Sequence, residues 1–181
     1  MIPANDKIIV SVDYLQKEST EIFGSTILLA KEFSENRRES MPVICTTIFP
    51  HETIPCGTHL LVHHNRFDIH SPHHLGGNQY SLAINDAIFA SVDEDGNAHQ
   101  MGGNIIVEYF FDNKSELLPD HLKKPNKYKY KVVNNGYGFK KGQYIFCYEF
   151  SNYEIIYNFK GIERRIIKVK QSDIVGKITN N

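Results

Sequence analysis

The sequence predicts an all-β protein, made of two small β-barrels in tandem with a long loop in the first. Three observations carry this reading. The apolar signal comes in short β-branched and aromatic runs separated by glycine and proline turns, as small barrels require. Helical period is confined to Asp13 to Asn36 and Glu116 to Lys124. The chain also states nearly the same pattern twice, and a repeat of this kind sets the fold.

The repeat is clearest from Ile54 to His70 and again from Phe139 to Ile155. In each, a turn glycine (Gly57, Gly142) launches a strand run, His59 to His63 and Tyr144 to Tyr148. Glycine tolerates the positive φ such a turn needs, and the run that follows suits a pleated surface. A polar kink with one aromatic comes next, at Asn65-Arg66-Phe67 and Ser151-Asn152-Tyr153.

Read in order, Lys7 to Val12 opens the first copy as a strand. Met41 to Ile48 and the Gly57 strand follow, and Gln79 to Ile84 with Ala87 to Val92 close the copy. Asn104 to Tyr109 then restarts the pattern, Tyr128 to Val133 and the Gly142 strand continue it, and Arg164 to Val169 with Ser172 to Gly176 end it. Ile8 to Ile105 is an offset of 97, Gly57 to Gly142 of 85 and Ile88 to Ile174 of 86. The second copy is therefore 12 residues shorter between its first strand and its turn glycine. We expect residues 1–95 as the first copy with a long loop over 13–36, a linker over 96–103, and 104–181 as the second copy.

Composition narrows the function classes. A formal net charge of −1 and a pI near 6.7 give no global pull towards nucleic acid or an anionic membrane. No apolar run is long enough to span a bilayer as a helix, and no signal peptide opens the sequence. Three cysteines without a C-x-x-C pair point to a reduced, cytoplasmic setting with packing thiols.

Few stretches invite chemistry. Seven of the nine histidines lie between His51 and His74, but no carboxylate or thiolate accompanies them at a ligand spacing, so no metal is expected. Tyr144 and Tyr148 stand in the second copy where His59 and His63 stand in the first, which suggests amphipathic interface positions. His63 and His64 would titrate near neutral pH at such an interface. No G-x-S-x-G elbow or phosphate loop is present, and no enzyme or cofactor is expected. The lysines of 123–129, interleaved with Tyr128 and Tyr130, read as one solvated face rather than a nucleic-acid stripe.

Two features point instead to docking. Gly24 to Leu29 is an aliphatic island in a polar loop, either folded back onto the protein or offered to a partner. Phe67, Tyr153 and Tyr157 read as exposed aromatics that an oligomer would bury.

The ordered series of signals resembles the GroES-type co-chaperonins, the subunits that lid a chaperonin ring. Asp6 to Val10 resembles that family's opening strand, Gly24 to Leu29 its Gly-x-x-Ile-x-Leu loop, and Arg38, Glu39 and Val43 its next strand. Ile54 to Leu61 resembles its turn-strand, with Thr58 and Gln143 in place of the family's aspartate after the glycine. Ser172 to Gly176 resembles its closing Ser-Asp-Ile segment, and Asp86 to Ala90 does so loosely. The resemblance implies GroES-like barrels assembled as a homo-oligomeric ring. It also implies a mobile loop whose tripeptide, here Ile27-Leu28-Leu29, inserts into the chaperonin. The second copy offers only Leu117-Leu118-Pro119 in its shortened loop. Two functions stay open: a co-chaperonin, or a phage virion component in which the barrel contacts neighbouring structural subunits.

Overall fold

The structure, a computed structural model, describes residues 7–12, 19–22, 25–28, 39–40, 42–67, 70–85, 87–111, 125–149 and 151–178. Among these the chain is almost wholly strand and turn. The first copy supplies β1 (Lys7–Ser11), β5 (Val43–Thr47), β6 (His59–Val62), β7 (His74–Gly76), β8 (Gln79–Ala83) and β9 (Ile88–Val92). The second supplies β11 (Asn104–Tyr109), β12 (Lys129–Val132), β13 (Tyr144–Cys147), β14 (Asn152–Phe159), β15 (Ile162–Lys170) and β16 (Ile174–Lys177). Between β1 and β5 lie β2 (Ser19–Ile22), β3 (Ser25–Leu28) and β4 (Glu39–Ser40), and between the copies lies β10 (Ala98–Gln100).

The strands form two large sheets. One runs β10-β9-β6-β5-β1-β8-β7 and the other β16-β13-β12-β11-β15-β14-β4. Without β10 and β4, both place their six strands in the same order: sixth, third, second, first, fifth, fourth. The repeat read from the residues is thus a repeat of topology.

Equivalence extends to single hydrogen bonds. Gly57 N donates to Thr47 O at 2.8 Å, and Gly142 N to Val132 O at 2.8 Å. Both glycines sit at positive φ, 86° and 83°, where a Cβ would be strained. A β-bulge falls between Leu61 and Val62 against β9, and another between Phe146 and Cys147 against β16. Val10 pairs with Tyr80 as Val107 pairs with Ile167. His74 in turn pairs with Tyr80 as Glu154 pairs with Ile167.

Each copy keeps its own core. The first packs Ile8, Val10, Cys45, Leu60, Tyr80 and Ile88; the second packs Ile105, Val107, Tyr130, Ile145, Ile167 and Val169. The large ring changes strand between them: the first copy sets Cys45 and Tyr80 on either side of β1, the second Tyr130 and Ile167 on either side of β11. Swapping large and small across a core keeps its volume, which close packing demands. Both buried phenols find partners, Tyr80 donating to Phe67 O at 3.3 Å and Tyr130 to Asn152 Oδ1 at 3.1 Å.

Three expectations change. Neither sheet closes into a barrel among the described residues. The edge strands β7 and β10 are three residues each and β4 is two, too short to carry a pairing round to closure. The segment 96–103, expected as a linker, contains β10, which pairs with β9 and lengthens the first sheet. Glu39–Ser40, placed by sequence in the first copy, pairs in parallel with Glu154–Ile155 of the second sheet.

A third apolar cluster joins the copies. Leu61, Phe89, Ala90 and Val92 of the first meet Ile106, Ile155, Tyr157 and Phe159 of the second. This seam organises the surfaces below.

Candidate docking surfaces

The expected loop over 13–36 contains a hairpin. β2 pairs with β3 in antiparallel register, Thr20 opposite Ile27 and Ser19 opposite Leu28, with residues 23–24 between the strands. Among the described residues it pairs with neither large sheet. Two strands without a sheet behind them are marginally stable in water, so its order depends on what it packs against. Of the expected docking tripeptide, Ile27 and Leu28 are consecutive positions of β3. Leu29 lies outside the described residues, as does the Leu117-Leu118-Pro119 segment.

The five expected interface residues separate into two groups. Phe67 is only 7% exposed and meets the Tyr80 ring edge-on at 5.2 Å, inside the first core. Tyr157 is 4% exposed in the seam and donates its hydroxyl to Gly96 O at 2.8 Å. Neither is the exposed aromatic expected from sequence. A 3-10 turn over His64–Arg66 precedes Phe67, and Tyr157 shares one face of β14 with buried Ile155 and Phe159. Burial in the seam raises the Tyr157 phenol above its ordinary pKa.

Tyr153, His63 and His64 remain at the surface or half-buried. The two histidine rings stack at 4.5 Å, and His63 meets Phe89 edge-on at 5.8 Å. Beside them lies Lys168, a lysine buried at the seam. Its Nζ sits 4.6 Å from the Phe89 ring centre and 4.9 Å from that of Tyr153, and it donates to Asn104 Oδ1 at 2.8 Å. Buried cations survive only with such partners. Asn104 in turn donates to Ile88 O at 2.9 Å, so one polar chain ties β15 and β11 to the first copy. His63, Tyr153 and Tyr157 therefore border one feature, the junction within the chain.

Sequence reading missed the hairpin that builds this junction. β14 and β15 turn through Lys160 and Gly161, both at positive φ, 51° and 82°, as a tight hairpin turn requires. The signal was present as alternating Ile155, Tyr157 and Phe159 just before Lys160-Gly161.

Catalytic geometry is sparse. Among the described residues no three His, Cys, Asp or Glu side chains group to hold a metal. His59 bonds Thr46 Oγ1 at 3.1 Å, and His74 pairs with Gly77 O at 2.9 Å. The Asp93 carboxylate accepts from His99 at 3.0 Å and from Asn97 N at 2.7 Å, and these bonds, the histidine's first, lower its pKa to about 2. They close the turn between β9 and β10. Burial pushes the Cys147 thiol up to about 11, the opposite of what a nucleophile needs. The lysines of β12 and its approach are engaged, Lys127 with Glu149 at 3.1 Å and Lys131 with Glu108 at 2.8 Å. Among the described residues, no helix is long and apolar enough to cross a membrane.

Comparison with protein-family models, with curated proteins and with solved structures returns no match to this chain.

Proposed function

We propose that this chain is a non-enzymatic, co-chaperonin-like oligomeric protein that docks on a chaperonin ring through the β2–β3 hairpin. Each six-strand unit corresponds in this reading to one GroES-like subunit. The observation that carries it is the hairpin's position. An aliphatic Ile27-Leu28 pair lies between the first and second strands of a repeated unit, on an element that pairs with neither large sheet among the described residues. A weakly held hairpin that orders on its partner gives modest affinity per site, and repetition around a ring multiplies it.

The test is capture of the chain by the chaperonin of its own cell, with and without ATP. The expected result is retention of the wild type and loss of retention for Leu28→Asp, with unchanged circular dichroism and melting. Absence of capture, with co-purification of the chain in intact virus particles, would replace this reading by the virion one.

A further inference from the structure

One sheet face meets different surroundings in the two copies. The offset of 85 that separates Gly57 from Gly142 aligns β5 with β12 and β6 with β13. The register agrees: Ile44 pairs with Leu61 and Thr46 with His59 in the first copy, Lys129 with Phe146 and Lys131 with Tyr144 in the second. In the first copy the seam covers this face, with Leu61 fully buried and Ile44 packed against the same cluster. In the second copy the face is open, with Phe146 39% and Tyr148 65% exposed.

On the open face, lysines and rings run side by side. Residues opposite each other in an antiparallel pair share a face, so Lys129 stands beside Phe146 and Lys131 beside Tyr144. Cys147 N donates to Tyr128 O at 2.8 Å, which carries the ladder a step further and brings Lys127 beside Tyr148. The lysines do share one face, as the sequence reading expects, but the other half of that face is aromatic. Successive rings along β13 lie about 6.7 Å apart, the spacing of alternate residues on a strand. Lys129 Nζ already rests 3.9 Å from the Phe110 ring centre and 4.7 Å from that of Tyr144. Lys127 and Lys131 pair with Glu149 and Glu108 at the surface, where such pairs hold little energy and a phosphate can compete for the ammonium. From Pro125 to Glu149 the sequence has five lysines and one glutamate, in a chain whose net charge is −1.

We propose that this face of the β12–β13 hairpin binds single-stranded nucleic acid, with bases stacked on Phe146 and Tyr148 and phosphates along Lys127, Lys129 and Lys131. Two arguments fix the occupant. Charge speaks against a protein: lysine is depleted in protein interfaces, and the matching face that this chain does cover has Ile44 and Thr46 where the open one has Lys129 and Lys131. The rings speak against a duplex: paired strands keep their bases stacked on one another, whereas a single strand can lay them on aromatic side chains. Every base has a stackable face, so the site reads strand chemistry and not sequence. Exposed Lys140 and Lys141, in the turn before β13, extend the positive charge at one end. The proposal is independent of which partner the β2–β3 hairpin engages.

The experiment is fluorescence anisotropy of labelled oligo(dT) and oligo(U), each of about 15 nucleotides, titrated with the full chain across a salt series. The wild type should bind at low salt, with a log–log salt slope of about −2 for three phosphates neutralised. Tighter binding of either strand supports the proposal and shows whether the 2′-hydroxyl is read. Tyr148→Ala and Phe146→Ala should each weaken binding roughly tenfold and leave the slope unchanged. Lys127→Gln should make the slope shallower by about 0.7. These side chains lie at the surface, so urea midpoints should stay at the wild-type value. Leu28→Asp should bind the strands as the wild type does, which separates this result from the chaperonin test. No anisotropy change with either strand at high micromolar chain would overturn the proposal. So would equal affinity for a duplex of the same length, or full binding by both ring variants, since charge alone would then explain the signal. Equally tight binding of poly-glutamate would overturn it in favour of an acidic protein partner.

Discussion

The two copies share a strand order and differ most in one hairpin. In the first copy, β7 and β8 have three and five residues; in the second, β14 and β15 have eight and nine. The extra length carries Tyr157 and Phe159, which close over Leu61 and Val92 of the first copy. The short hairpin carries nothing comparable, and Leu75 at its edge stays exposed. The second unit thus carries a clamp in its longer hairpin, while both units keep the same strand order. The longer hairpin supplies side chains that the seam buries, and the shorter one does not.

The sharpest way to break this comparison is to place a charge on an apolar side chain of each hairpin, buried in one and exposed in the other. Ile155→Asp buries a carboxylate in the seam and should cost about 4 kcal/mol or more in urea unfolding. Leu75→Asp should change the stability of the single chain by no more than about 0.5 kcal/mol. Equal effects would deny that the clamp exists only in the second copy.

The connection between the copies offers a second contrast. Gly102 sits at φ 61°, and a Cβ there would strike Asn85 O and come within 2.5 Å of Ile88 O, both backbone atoms. Gly103 beside it has φ 76° and open space. Gly102→Ala should lower stability by at least about 2 kcal/mol, and Gly103→Ala by about 1 kcal/mol. Thermal melts of the two variants measure the difference.

Tyr157→Phe keeps the ring and removes one hydrogen bond, leaving Gly96 O without that donor in a buried site. The expected loss is about 1–2 kcal/mol. A neutral result would mean that the clamp works by its apolar area alone.

The smallest effect concerns pH. The Asp93 pKa is depressed in the fold, from 3.8 to about 2, so its contribution to stability is present above its unfolded value. It fades as pH falls from near 4 towards 2. A carboxyl resonance of Asp93 titrating near 2 would verify this, and Asp93→Asn should remove that part of the acid sensitivity.

Residue patterns showed the repeat well, because turn glycines and the bonds they fix recur at the same spacing. Gly57 and Gly142 make matching contacts with Thr47 and Val132, as their offsets implied. Alternation along a strand says which side chains share a face, but not whether water or another sheet lies over it. Hence Phe67 and Tyr157 read as exposed and prove buried, while Tyr153, read the same way, is 41% exposed. Barrel closure failed for a related reason: it depends on edge strands, three of which have only two or three residues, below the length at which a pattern can be read.

The parallel pairing of Glu39–Ser40 with Glu154–Ile155 has a consequence for how the chain is made. The ribosome delivers the first unit long before residue 154 exists. Its early segment must wait, unpaired at this site, until nearly the whole polypeptide has emerged. A contact so distant along the sequence forms late and slowly, after the β14–β15 hairpin that receives it. A nascent chain stalled before β14 therefore lacks the strand on which residues 39–40 come to rest.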